Sequence, residues 1–225
     1  YAQPFADVDL ARLESRGWEV VRRPTGGRAI LHTDELTYSV MGPADDPRLA
    51  GSVLESYSRL ACALLQAVRS LGLDARSDPL HAEPGSAPGQ GPANPVCFEV
   101  PSAYEITVGG RKLIGSAQAR RKEGVLQHGS LPLSGDLSRI TQALVFADEG
   151  ERRAAAGRLL ARAATVETSL GRAVSWDEAA QACAAAFRSE LDLQFEPAGL
   201  AEGEERRAAE LVEQKYAHPA WMRRV

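Results

Sequence analysis

Three side chains with chemical potential stand close together in the chain: Cys97, Lys112 and His128. A cysteine attacks carbon as its thiolate, and an ordinary thiol ionises at a pKa of about 8.5. A neighbouring ammonium raises the thiolate fraction and can oppose negative charge developing on an oxygen. An imidazole can carry a proton near neutral pH. A nucleophile, a cation and a proton carrier in one stretch point to a reaction site. Each residue also has a plainer reading: a small buried hydrophobe for Cys97, a solvated hairpin lysine for Lys112, a packing residue beneath a strand for His128.

The elements that must position them are legible in outline. Ile106 and Val108 alternate with Thr107 and run into Gly109-Gly110, a dipeptide that tolerates the positive φ angles of a tight hairpin turn. The return through Lys112, Leu113 and Ile114 is expected to bend at Gly115-Ser116, and a last run over 125–133 carries His128. Residues 18–23 (WEVVRR) predict a strand ending at Pro24-Thr25-Gly26-Gly27, and 28–31 a continuing strand, so this glycine turn does not open a helix as a nucleotide phosphate loop does. A strand over 36–41 follows His32, Asp34 and Glu35. The clearest helix is 51–71, with Ser52 and Glu55 spaced as a capping box, an apolar stripe from Leu54 to Val68, and Gly72 at its end. Cys62 and Cys183 are expected as buried packing residues.

Residues 74–95 are rich in Pro, Gly, Ser and Ala without periodicity and predict a flexible loop, with His81 in it, leading to Cys97. Helices are expected over 137–146, with Asp136 as N-cap, over 151–164, from Ser175 to Leu191, and over 201–216. The charge run Arg120-Arg121-Lys122 reads as a solvated turn or, with Arg111, as a patch that steers acidic partners.

At 225 residues the chain is sized for one domain, with 44% hydrophobic and 25% charged residues. A net charge of −4 gives no general attraction to nucleic acid or anionic membrane. No apolar run approaches the roughly 20 residues of a spanning helix. Three irregularly spaced cysteines do not make a disulfide framework, and no cluster has zinc spacing. A cytoplasmic protein without metal or other cofactor is expected.

Two motifs carry a resemblance. VVRRPTGGRAILHTDELTYSV and GRKLIGSAQ followed by LQHGSLPL stand in the order found in the lipoate-protein ligase and octanoyltransferase family. The cysteine of PVCFEVPSAYEI resembles the branch that takes octanoyl groups from acyl carrier protein, and KYAHPAWMRR resembles the family's C-terminus. The resemblance implies an α+β domain, a mostly antiparallel sheet flanked by helices, over residues 1–225. It implies a chain that begins inside the family pattern, without the usual first helix and strand, and that has no room for a further C-terminal domain. It assigns Cys97 as nucleophile and Lys112 as the cation at the acyl carbonyl. It places Arg22, Gly26, Gly27, His32, Gly115, Ser116, Ala117 and His128 around the acyl group, the backbone N–H groups of the small residues facing the carbonyl. The activity implied is transfer of octanoate from octanoyl-acyl carrier protein to a lysine of a lipoyl domain or glycine-cleavage H protein. Alternatives are an ATP-dependent ligase working through an acyl-adenylate, an amidotransferase between lipoyl proteins, and a binding module without turnover.

Overall fold

The computed structural model describes residues 3–78 and 105–224. Five antiparallel strands form its centre: β1 (Glu35–Gly42), β2 (Ala75–Asp78), β3 (Glu105–Val108), β4 (Arg111–Arg121) and β5 (Gly124–Pro132), in the order β1-β5-β4-β3-β2. Gly109 and Gly110 close the β3–β4 hairpin at φ 56° and 74°, the double positive φ of a two-residue turn. The bend expected at Gly115-Ser116 is absent. β4 runs straight through, pairing Gly115 with Ser130, Ser116 with Gly129 and Ala117 with His128, because these small residues fit a close strand approach. The expected loop 74–95 likewise begins as strand, β2 pairing with β3. The rest of that segment and Cys97 lie outside the described residues.

One sheet face is covered by two helices, α2 (Val53–Ser70) and α5 (Trp176–Glu190). Ser52 and Glu55 form the capping box of α2, and Gly72 leaves it at φ 99°. Leu60, Leu64 and Val68 of α2 and Phe187 of α5 meet Leu36, Ile106, Leu113, Ile114, Val125 and Leu131 of the sheet in the main core. Leu54 stands largely in solvent at the start of α2. Cys62 is exposed instead of buried, since the packed positions are Leu60, Ala61, Ala63 and Leu64, and residue 62 falls between them on the outer side. Cys183 does pack against the core, and burial pushes its thiol up to about 11, an unreactive state.

A second apolar cluster joins α1 (Leu10–Ser15), the 3-10 helix Leu137–Ala143 and α3 (Glu149–Arg162) through Leu13, Ile140, Leu144 and Leu159. Segments 18–23 and 28–31, expected as strands, are not strands of the sheet. Trp18, Val20, Ile30 and Leu31 instead lay their side chains on this cluster. The helix expected over 137–146 is a 3-10 helix that stops at Ala143, and buried Arg152 bonds the carbonyls of Thr141 within it and Leu144 just beyond it. The chain then passes through α4 (Val166–Leu170), capped by Thr165, and ends in α6 (Glu202–Leu211), a π turn Val212–Tyr216 and α7 (Pro219–Met222). No helix is long and apolar enough to cross a membrane among the described residues.

Candidate active site

Residues paired across a sheet point to the same face, so the ladder sorts the motif residues. Leu36, Ile106, Val125 and Leu131 go to the helices. The pairings Thr37–Ser130–Gly115 and Ser39–His128–Ala117 put Ser130, His128, Gly115 and Ala117 on the opposite face. Glu35, two residues before Thr37, joins them. The site is therefore built on the face that α2 and α5 leave open.

The two motifs meet at a hydrogen bond. His128 Nε2 lies 2.7 Å from Thr25 Oγ1, in the turn before the two glycines. Arg23 donates to the same Thr25 oxygen at 2.9 Å and to the Arg28 carbonyl at 3.1 Å, closing the loop on itself. Gly27 sits at φ 95°, a conformation that strains any residue with a side chain, and a Cβ there would also have to displace the Arg23 guanidinium 2.6 Å away. A Cβ on Gly26 would meet nothing within 4 Å, which leaves that backbone open to approach.

Burial, then the positive charges of Arg23 and His32, push the His128 pKa below the ordinary histidine value. Thr25 accepts from Arg23 and also shares its hydroxyl with Nε2 of the imidazole. On acidification the unfolded chain binds the second imidazole proton at a pH of about 6.5, before the folded chain does. Stability is therefore full above about pH 6.5 and falls as the pH drops below it. Unfolding midpoints measured between about pH 5 and 8 should show this slope in the native protein and a shallower one in His128→Gln; identical slopes would contradict it.

Glu35 is a centre that the sequence did not single out. Burial works to raise its carboxyl, but hydrogen bonds from His32, Ser130 and Thr37 outweigh it and hold the group below the usual carboxylate range. His32 is thus tied to an anion at the strand end. Thr25 was missed as well, although it lies inside the RRPTGG stretch. Strand alternation was the available signal for Glu35, which shares its parity with Thr37 and Ser39.

Lys112 is not a solvated hairpin lysine. Its side chain is 6% exposed and its Nζ stands 2.5 Å from Glu105 Oε1. Ser116, grouped above with the acyl site, turns its side chain to the helix side. Its hydroxyl meets the Tyr38 hydroxyl at 2.7 Å, and Gln127, Gln118, Ser56 and Arg120 continue that buried polar chain. The Ser116 carbonyl is taken by Tyr57. Arg22 lines the cavity beside the glycine loop and is held by main chain. Its guanidinium donates to the carbonyls of Met222 at 2.9 Å and Gln3 at 3.0 Å, and Trp221 Nε1 returns a bond to the Arg22 carbonyl at 2.7 Å. It fastens the segments at Gln3 and Met222 to the stretch that enters the glycine loop.

Of the run Arg120-Arg121-Lys122, read as a solvated turn or as part of a steering patch, Arg121 and Lys122 are exposed. Arg120 is bonded to the Leu49 carbonyl and Ser56, and Arg111 and Arg121 mark opposite ends of β4, about 33 Å apart at strand rise. Cys97 and His81 lie outside the described residues. Beside the glycine loop a cavity of about 490 Å³ is walled by Val8, Leu13, Val20 and Ile30, with Arg23 and His32 at its polar margin. No group of side chains suited to a metal ion occurs among the described residues.

Comparisons with known proteins converge. Residues 1–188 match the lipoyl protein ligase A/B catalytic domain. The chain is 40% identical to octanoyltransferase LipM of Moorella thermoacetica, over 100% of its own length and 80% of that protein's. It is 40% identical to octanoyltransferase LipM of Symbiobacterium thermophilum, over 96% and 78%. Among solved structures it is similar to a bipartite lipoate protein ligase of Thermoplasma acidophilum studied with its E2 lipoyl domain, at TM-score 0.79, 28% identity and 98% and 77% coverage. A lipoate-protein ligase A bound with ATP gives TM-score 0.73 at 28% identity, over 96% and 76%.

Proposed function

Because this chain belongs to the lipoyl protein ligase A/B catalytic domain family, we propose that it is an octanoyltransferase of protein lipoylation, moving octanoate from octanoyl-acyl carrier protein to a lysine of a lipoyl domain or glycine-cleavage H protein. The near-full-length likeness to octanoyltransferases carries the reading. The hydrogen bond that joins the glycine loop to His128 on one sheet face, and the burial of Lys112 on a neighbouring part of the sheet, support it.

The reaction runs in two steps. The Cys97 thiolate attacks the carbonyl carbon of the carrier's thioester; a new C–S bond forms, the carrier's C–S bond breaks, and the carrier thiolate leaves and takes a proton. One thioester replaces another, so this step is close to thermoneutral. The acceptor lysine, as a free amine, then attacks the acyl-Cys97 carbonyl. A C–N bond forms, the Cys97 thiolate departs, and the amine gives up its proton. In both steps negative charge grows on the carbonyl oxygen, where the Lys112 ammonium opposes it. Gly115 and Ala117 leave room over β4, and Gly26 lets main chain approach the acyl group. Burying an eight-carbon chain at about 0.8 kcal/mol per CH₂ supplies its binding. Neither step consumes a nucleotide.

The test is intact mass after mixing the protein with octanoyl-acyl carrier protein in the absence of ATP. One octanoyl adduct, released by hydroxylamine and missing in Cys97→Ala, is the expected result. Modification of the acceptor only when ATP and free octanoate are supplied would overturn the thioester route in favour of a ligase.

A further inference from the structure

The β3–β4 ladder contains an irregularity with a consequence for the lysine. Thr107 pairs with Lys112, but Ile106 pairs with Ile114, so β4 carries one extra residue, Leu113. A bulge of this kind re-aims the side chains on either side of it. Leu113 and Ile114 both enter the main core, at 0% and 4% exposure, together with Ile106. Strict alternation would have put Lys112 on the same face as Ile114, inside that core. The bulge sends it to the site face, where Thr107 and, two residues earlier, Glu105 also point.

From this geometry we infer that Glu105 is a positioning residue for Lys112, fixing where its ammonium stands beneath the acyl carbonyl. The inference rests on the reading of Lys112 as the cation of the transfer reaction. Two observations argue for it. Both side chains are removed from water, 6% exposed for Lys112 and 16% for Glu105, so the Nζ–Oε1 contact of 2.5 Å is shielded from solvent and ions. The root of the lysine is also fixed, since its carbonyl accepts from the Ala164 N–H at 3.0 Å and its backbone bridges to Ala163. A lysine stem is flexible along four carbons; with the root fixed by the bulge and the tip by the carboxylate, the ammonium occupies one place. Lys112 and Glu105 both make other contacts as well, and the carboxylate works within that set.

The experiment compares Glu105→Gln, Glu105→Asp and Lys112→Met in octanoyl transfer, with kcat and KM measured separately and the folded fraction determined by circular dichroism. Glutamine keeps size and hydrogen bonding but removes the anion. The expected result is a kcat lower by about tenfold to a hundredfold in Glu105→Gln, with KM for the acyl donor within about twofold. Glu105→Asp should recover part of the loss. A kcat for Glu105→Gln equal to wild type, beside an inactive Lys112→Met, overturns the positioning role while the site assignment stands. A loss that only follows the folded fraction in both Glu105 variants overturns it too. Full activity in Lys112→Met refutes the assignment of Lys112 itself, and the inference with it.

Discussion

Lys112→Ala should lower octanoyl transfer by roughly a hundredfold to a thousandfold, the usual consequence of removing one preorganised charge from a developing oxyanion. It should also destabilise the fold, because Glu105 is left largely buried without its cation. Breaking a buried pair from one side costs about 3–5 kcal/mol. The two losses separate in a double variant. Lys112→Met with Glu105→Gln removes both charges while keeping an apolar stem in the space, so much of the stability should return. Activity should not. Denaturant melts and steady-state rates on the same preparations read both quantities. Recovery of rate along with stability would mean that Lys112 acts through the fold alone.

The second large effect is expected at Gly129, next to His128. A Cβ there would lie 2.5 Å from the Gly115 carbonyl oxygen, 2.6 Å from Tyr38 Cε1 and 2.7 Å from Ser116 Oγ. One of these is strand backbone, so β4 and β5 must part before an alanine fits. Overpacking of this kind costs about 1–3 kcal/mol, a fall in melting temperature of roughly 2–12 °C for a chain of this size. The displaced ladder carries the pairings of Ala117 with His128 and Gly115 with Ser130, so activity should fall with stability. Gly26→Ala is the matched control. Its Cβ meets nothing within 4 Å, so stability should hold, and any change should appear in the KM for the acyl donor. A thermally unchanged Gly129→Ala would show that the strands accommodate the methyl group.

How far the sequence foretold this follows from the range of the forces involved. The α2 boundaries were readable because a capping box and a terminal glycine are local devices. The Gly109-Gly110 turn was readable for the same reason. The resemblance of two motifs gave the family and fold, and the structure brings those motifs together at Thr25 and His128. What stayed hidden was non-local. Alternation alone could not assign Lys112 to a face, because the bulge at Leu113 breaks the period where it matters. Segments 18–23 and 28–31 alternate like strands, yet tertiary packing on Leu13, Ile140 and Leu159 decides their conformation. The side chains of Arg22 and Ser116 find their partners in distant parts of the chain, the Met222 and Gln3 carbonyls for one and the Tyr38 hydroxyl for the other, and a motif does not encode such partners. Glu35 and Glu105 went unremarked because a carboxylate gains its role only from the His32, Ser130 or Lys112 that the fold sets against it.

The pairing of β1 with β5 also bears on how the chain reaches this state. Gly42 partners Val125 and Glu35 partners Pro132, so about 90 residues separate the two strands. At a synthesis rate of roughly 5–20 residues per second, β1 waits about 5–20 s for its neighbour. Such distant contacts form late, since loop closure precedes any gain from them. During that interval β1 exposes an unpaired strand to other nascent chains. Its polar side at Glu35, Thr37 and Ser39, the same residues that later ring the site, limits sticking on that face. Leu36, Tyr38 and Val40 have no such protection, which makes the wait for β5 an aggregation-sensitive interval.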